Sequence, residues 1–256
     1  MIFFDVLGTV VEWRNCIANE LSAAARLTLE DQMRAVTDDV RARASDMSFS
    51  HWQEIAEEWH RLYMNFGDTY DPSEPFISVD EYNRISLEHL IIKWRLQGLF
   101  NDDDLASLTL TWHRLDAYPD SVPGLALLNA HFLTSTLSNG NVRLLDDLQK
   151  HNSLPFTHIT SAEHFGAYKP SPEVYHGAAR RFGLQNSQCV LIAAHLEDLH
   201  AAKKCGFRTV YLERNLEESW SSTEIACARE EKFVDHWIAV GGSGLIEVAR
   251  YFGIEG

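Results

Sequence analysis

Short apolar runs alternating with amphipathic stretches restrict this chain more than any other feature, and the alternation starts only after residue 118. Residues 132–137, 156–159, 190–194, 209–212 and 237–240 read as strands, and 124–130, 142–150, 172–182, 198–205 and 245–251 read as helices. A run such as Val190-Leu191-Ile192-Ala193 has no polar side, so both faces of its sheet must be covered. Strand and helix in turn specify an α/β architecture, a doubly wound parallel sheet. One further strand stands apart from the series, at residues 1–4, and it stops at Asp5. An acid at the C-terminal end of such a strand lies in the crevice where open parallel sheets bind ligands.

Between that strand and the rest, the patterning is helical only. Residues 14–26, 29–44, 52–66, 78–94 and 102–112 are expected helices, the second of them mostly solvated. Trp52, Ile55, Trp59, Leu62, Tyr63 and Phe66 recur at three- and four-residue spacing, an amphipathic face that belongs in a core. Residues 67–75, rich in Gly, Asp, Ser and Pro, are an expected loop. The prolines and glycine of Tyr118-Pro119-Asp120-Ser121-Val122-Pro123-Gly124 mark the return to the sheet. The expected organisation is a core from 1–13 and 115–256, with an all-helical domain, 14–114, inserted into it. The charged stretch 213–235 reads as a surface excursion.

Charge narrows the function classes. A net charge of −15 makes nucleic acid and anionic membrane poor partners, and an anionic substrate needs local positive charge. Cys16, Cys189, Cys205 and Cys227 lie far apart with no Cys-x-x-Cys pair, which suits reduced thiols in a cytoplasmic protein without structural zinc. No stretch is long and apolar enough to span a bilayer. The chain opens directly into a strand, so no signal peptide is expected, and the abrupt start suggests that a few residues precede it.

Four polar clusters fall at or just beyond the ends of the expected parallel strands: Asp5 to Thr9, Ser138-Asn139-Gly140, Lys169-Pro170 and Asp198. Each alone has an ordinary reading, as a turn, a helix entry or a first-turn acid. Together they converge on one crevice.

That ordered set resembles the haloacid dehalogenase superfamily, and within it the L-2-haloacid dehalogenase (type II) branch with its helical cap. The resemblance rests on Phe4-Asp5-Val6-Leu7-Gly8-Thr9, on Leu137-Ser138-Asn139-Gly140-Asn141, on Tyr168-Lys169-Pro170-Ser171-Pro172-Glu173-Val174-Tyr175, and on Ala193-Ala194-His195-Leu196-Glu197-Asp198. It implies a Rossmann-like core carrying the inserted domain as a cap that closes over the site. It also implies roles. Asp5 is the nucleophile that forms an ester, Lys169 neutralises and aims it, and Asp198 orients or deprotonates water. Thr9, Ser138 and Asn139 bind the carboxylates of Asp5 and substrate, or the halide. His195 joins the site as a substrate-binding residue.

Departures from the superfamily's other pattern carry information too. Related phosphatases place a second aspartate two residues after the nucleophile, where this chain has Leu7, and a magnesium-binding Asp where it has Ala194. The implied site therefore takes no metal and no organic cofactor. The branch's cap arginine falls at His60, with Arg61 beside it, and Arg14 is a further candidate cation, although a surface or hinge role is the plainer reading of Arg14. Neighbours on a helix point about 100° apart, so Arg61 does not simply replace His60. Glu197 adds negative charge near the expected anion site unless its side chain turns away. The expected activity is hydrolytic release of halide from a short 2-haloacid, a small-molecule carboxylate. Homodimerisation is implied by resemblance alone. Two alternatives stay open: another small metabolite acted on by the same fold, and a catalytically retired binding scaffold.

Overall fold

The computed structural model describes residues 1–69 and 77–254. The chain divides into two compact units, one of Met1–Glu12 with Asp116–Gly256 and one of Trp13–Leu115. Trp13 and Leu115 thus go with the helices, one residue from each boundary read in the sequence.

In chain order, β1 (Ile2–Phe4) and β2 (Val11–Glu12) precede the helical unit. That unit contains α1 (Arg14–Glu30), α2 (Asp38–Asp46), α3 (Phe49–Thr69), α4 (Val79–Lys93) and α5 (Asp102–Thr109). The sheet unit resumes with β3 (Asp116–Ala117), α6 (Ser121–Asn129), β4 (Thr134–Thr136), α7 (Val142–Asn152), α8 (Pro172–Arg181) and β5 (Val190–Ala193). It ends with α9 (Leu196–Lys204), β6 (Arg208–Leu212), α10 (Ser222–Glu231), β7 (His236–Ile238) and α11 (Leu245–Tyr251).

The sheet runs β4-β1-β5-β6-β7, all parallel. β1 is central: Ile2 faces Thr134 on one side and Val190 on the other. Ile2, Phe3 and Phe4 are fully buried, as a strand with helices over both faces requires. A short antiparallel ribbon, β2 with β3, joins the residues just before and just after the helical insertion, and its brevity hid it in the sequence.

In the helical unit α1 packs on α3, and α3 on α4. Trp52, Ile55, Trp59, Tyr63 and Phe66 bury the expected face of α3, while Leu62 sits at its margin. Ser78 and Glu81 form a reciprocal cap at the start of α4, and Asn101 and Asp104 another at the start of α5. The expected helix 29–44 is instead two: α1 runs on to Glu30, and a turn in which Asp31 accepts the Met33 N–H separates it from α2. The start of the expected 67–75 loop belongs to α3, and residues 70–75 lie outside the described residues.

Two readings in the sheet unit need correction. Residues 156–159 form no strand: His158 makes only an isolated bridge to Ser135. Side-chain hydroxyls extend its two backbone bonds to β4, with Ser135 Oγ 2.8 Å from Thr160 Oγ1 and Thr136 Oγ1 donating to the Thr160 carbonyl at 2.9 Å. The stretch 213–235 contains α10, begun by a Ser221–Glu224 capping box.

Candidate active site

The site starts where β1 stops. The Asp5 N–H still donates to the Ile192 carbonyl at 3.0 Å, and the chain then reverses tightly. The N–H groups of Val10 and Val11 donate to the Val6 carbonyl, and that of Gly8 donates to the Val11 carbonyl. Gly8 has φ +76°, and a Cβ at this position would overlap the carboxylate of Glu217. The turn brings Thr9 back to Asp5. Thr9 Oγ1 donates to Asp5 Oδ2 at 2.8 Å and accepts the Ala194 N–H at 2.9 Å, tying together the ends of β1 and β5.

Lys169 lies between two carboxylates. Its Nζ is 2.9 Å from Asp5 Oδ1 and 2.6 Å from Asp198 Oδ2. Asn139 braces the lysine's backbone at both ends, accepting the Lys169 N–H at 2.7 Å and donating to the Lys169 carbonyl at 3.2 Å. Asp198 sits in the first turn of α9, and its Oδ1 accepts the Tyr175 hydroxyl at 2.7 Å. Asp5, Lys169 and Asp198 are 7%, 8% and 8% exposed, so each charge depends on its partners rather than on water.

His195 is the residue before α9. Its Nδ1 is 2.9 Å from Asp5 Oδ2, and its Nε2 is 3.7 Å from Glu217 Oε2. Asp5 Oδ2 therefore faces two groups, Thr9 and His195, whereas Oδ1 faces Lys169.

These neighbours move the titrations apart. Burial opposes ionisation of Asp5, but Lys169 and then His195 outweigh it and hold the carboxyl well below its ordinary range. For Asp198, burial prevails over the attraction of Lys169, the Asp5 charge adds to it, and the carboxyl is raised. Burial also works against a charged Lys169, yet Asp198 and Asp5 keep its ammonium above the usual value. His195 is pushed up to about 10: burial resists, and the Asp5 and Glu217 carboxylates overcome it. Two carboxylates moved in opposite directions suit one as a standing anion and the other as a proton acceptor.

The structure thus brings Asp5, Thr9, Lys169, Asp198 and His195 together. Asn139, expected on the carboxylate of Asp5 or substrate or on the halide, bonds the Lys169 backbone through both ends of its carboxamide. Ser138 is buried at the end of β4, with its Oγ accepting the Gly140 N–H at 3.2 Å. The other three candidates belong to the helical unit. Arg14 lies 4.3 Å over the Trp13 ring and 3.4 Å from Glu57. His60 stacks on Trp13 at 3.9 Å between centroids, and Arg61 is exposed on α3. Among the described residues, no three His, Cys, Asp or Glu side chains group as metal ligands, and the Lys169 ammonium occupies the space between Asp5 and Asp198.

Sequence reasoning missed the stretch after β6. Arg214 donates from Nε to the Thr9 carbonyl at 3.0 Å and grips Asp120 with both terminal nitrogens at 2.8 Å. Glu218 accepts the Leu196 N–H at 2.9 Å, capping α9. Glu197 is exposed, so the buried carboxylate beside His195 is Glu217 instead. Tyr175 was within reach of the sequence, standing in the lysine motif and on the buried side of α8.

A family model described as haloacid dehalogenase-like hydrolase matches residues 1–206. (S)-2-haloacid dehalogenase 1 of Pseudomonas sp. (strain CBS-3) is 35% identical over 121 residues, 46% of this chain and 53% of that protein. The chain thus spans about half the length of the curated relatives it matches. Among solved structures, the L-2-haloacid dehalogenase PA0810 is similar over 98% of each chain, with TM-score 0.78 and 30% identity. The defluorinating L-2-haloacid dehalogenase Rha0230 is similar over 98% of this chain and 93% of its own, with TM-score 0.75 and 26% identity.

Proposed function

The chain belongs to the haloacid dehalogenase-like hydrolase family, and from that premise we propose that it hydrolyses short 2-haloalkanoic acids, in the manner of an (S)-2-haloacid dehalogenase, through an ester on Asp5. The observation that carries this reading is the asymmetry of the two site carboxylates around one lysine: Asp5 faces Thr9, His195 and Lys169, whereas Asp198 faces Lys169 and the Tyr175 hydroxyl. Those contacts lower the Asp5 carboxyl and leave that of Asp198 raised.

The chemistry follows from the contacts. Asp5 Oδ2 is turned toward Thr9 and His195, so Oδ1 is the oxygen with capacity to attack. As the new C–O bond forms, the carbon–halogen bond breaks and the halide leaves with its electron pair. No proton is required, and Leu7 supplies none. Water then attacks Cγ of Asp5 while Asp198 takes its proton. The Cγ–Oδ1 bond breaks, that proton passes to the departing 2-hydroxy acid, and Asp5, left as its acid, releases the water's second proton to solvent to become a carboxylate again.

Thr9, Ser138 and His195 belong to the nucleophile's side of this scheme, with Asn139 holding Lys169. Arg14, His60 and Arg61 are the helical unit's candidates for the substrate carboxylate or halide, and the helical unit acts as a cap. The proposed setting is the cytoplasm. No described helix is long and apolar enough to cross a membrane, and the net charge of −15 disfavours nucleic acid and anionic lipid as partners. A homodimer is the proposed assembly.

Halide release from the fluoro-, chloro- and bromopropionates and the matching acetates tests the activity. Release is expected from the unmodified protein and not from Asp5→Asn. Turnover in heavy-oxygen water is expected to label the Asp5 carboxylate. Silence across the whole panel would sink the reading.

A further inference from the structure

The stretch after β6 adds a third buried carboxylate to those of Asp5 and Asp198. Glu217 is 7% exposed, and its carboxylate fills the space that Gly8 leaves for want of a side chain. Its neighbour is the far nitrogen of His195, at 3.7 Å, an ion pair longer than a hydrogen bond. The near nitrogen of the same ring is 2.9 Å from Asp5 Oδ2. Each ring nitrogen thus faces a carboxylate oxygen, and each must carry a hydrogen to avoid setting lone pair against lone pair. The ring also stands at the N-terminus of α9, where the helix dipole disfavours a cation, so an imidazolium here relies on both carboxylates.

This matters for one half of the reaction only. Once Oδ1 is alkylated, Oδ2 is the carbonyl oxygen of an ester. Attack by water on Cγ moves negative charge onto Oδ2, where Thr9 Oγ1 and His195 Nδ1 already stand at 2.8 and 2.9 Å. Donors at that range, fixed before the charge appears, stabilise such an intermediate. In the first half the same contacts add to Lys169 in holding Asp5 ionised, but no new charge develops on Oδ2 for them to stabilise.

We propose that Glu217 is a positioning residue for ester hydrolysis: it keeps His195 presented as the Nδ1 donor to Asp5 Oδ2, completing with Thr9 an oxyanion hole on the nucleophile itself. The proposal deepens the aspartyl-ester reading and rests on it. No new co-reactant enters. Water supplies the oxygen that bonds to Cγ, Asp198 carries its proton to the departing alkoxide, and the charge on Oδ2 returns to Cγ as the Cγ–Oδ1 bond breaks.

The test is Glu217→Gln, which keeps the shape and removes the charge. The first halide per protein molecule is expected at close to the parent rate. Later turnovers should slow by at least about tenfold, because a weakened oxyanion donor acts on the second step. Intact-mass spectrometry during turnover is expected to show a larger alkylated fraction than in the parent. His195→Gln removes the Nδ1 donor itself and should also enlarge the alkylated fraction, and adding Glu217→Gln to it should slow ester hydrolysis no further. In substrate-free protein labelled with 15N-histidine, His195 is expected to hold both protons to about pH 10 in the parent and to lose one at lower pH in Glu217→Gln. Where Glu217→Gln does not fold, Glu217→Asp takes its place, with the same direction and a smaller size.

Unchanged later turnovers, a slowed first halide with no rise in ester, or an unshifted His195 titration each overturn the proposal. A parent that releases no halide overturns the ester reading and this role with it. A parent that releases halide beside an unchanged variant overturns this role alone.

Discussion

Two histidines show how differently the two units treat the same side chain. In the sheet unit His195 stands between the carboxylates of Asp5 and Glu217. In the helical unit His60 lies almost parallel to Trp13, at 3.9 Å and 10°, and 6.3 Å from Trp112 at 20°. The first ring is defined by its edges, where protons and charge reside. The second presents its faces to two indoles, where area and dispersion count. The identity of a residue therefore says little about its role until its neighbours are known. Edge contacts make a histidine a donor, and face contacts make it a wall.

The comparison can be broken most completely at the charged end. Asp5→Asn should lower halide release by about a thousandfold or more, since an amide cannot take the carboxylate's place as nucleophile. Lys169→Met leaves two buried carboxylates without their cation. It should cost about 3–5 kcal/mol of stability, measured from the denaturant midpoint, and abolish turnover.

pH then sharpens the contrast. His195 is raised from 6.5 to about 10 in the folded protein. Its stabilising contribution is therefore whole below about pH 6.5, declines as pH rises, and is gone above about 10. Asp5, being lowered, contributes above its ordinary value and loses that contribution as pH falls through the depressed one. The melting-temperature gap between parent and His195→Gln should accordingly be widest near pH 6 and close by pH 10 in a series of thermal scans.

Gly8→Ala should cost about 2 kcal/mol through its left-handed backbone alone, and it should displace Glu217 as well. Calorimetry reads the first effect and ester accumulation the second. The smallest change is expected at the aromatic stack. His60→Leu keeps apolar bulk beside Trp13 and Trp112 and should cost about 1 kcal/mol in the same calorimetric measurement.

The contrast also explains what could be read in the sequence. Asp5, Lys169 and Asp198 stand at the ends of elements whose periodicity marks them, so their convergence was legible before any coordinates. The parallel sheet was legible for the same reason. Glu217 was not: it is one acid among many in a charged stretch, and what buries it is the missing side chain of Gly8, far away in the chain. Arg214 was hidden in the same way, because its partners Thr9 and Asp120 are brought to it only by the fold. The Ser221–Glu224 box that begins α10 was a local signal, overshadowed by the charge around it. The stretch 156–159 misled in the opposite sense. Its apolar look suggested a strand, but hydroxyls bind much of it to β4: Thr157 Oγ1 accepts the Thr134 N–H and donates to the Thr134 carbonyl, and Ser135 and Thr136 bond to Thr160. The contacts of Asn139 with the Lys169 backbone were hidden too, because the fold alone brings residues thirty apart together.

The central place of β1 has a consequence for how the molecule is made. Ile2, Phe3 and Phe4 leave the ribosome ahead of the helical unit, yet their two edges are filled by Thr134–Thr136 and Val190–Ile192. Until those segments emerge, the nascent chain carries an apolar run with both edges open, the kind of segment that chaperones hold and that aggregates if left alone. The helical unit is continuous in the chain and can settle on its own contacts while β1 waits. Asp5 meets Thr9 early, but Lys169, His195, Asp198 and Glu217 reach it only when the sheet closes. Catalytic competence should therefore appear late in synthesis, only after both neighbours of β1 and then Glu217 have emerged.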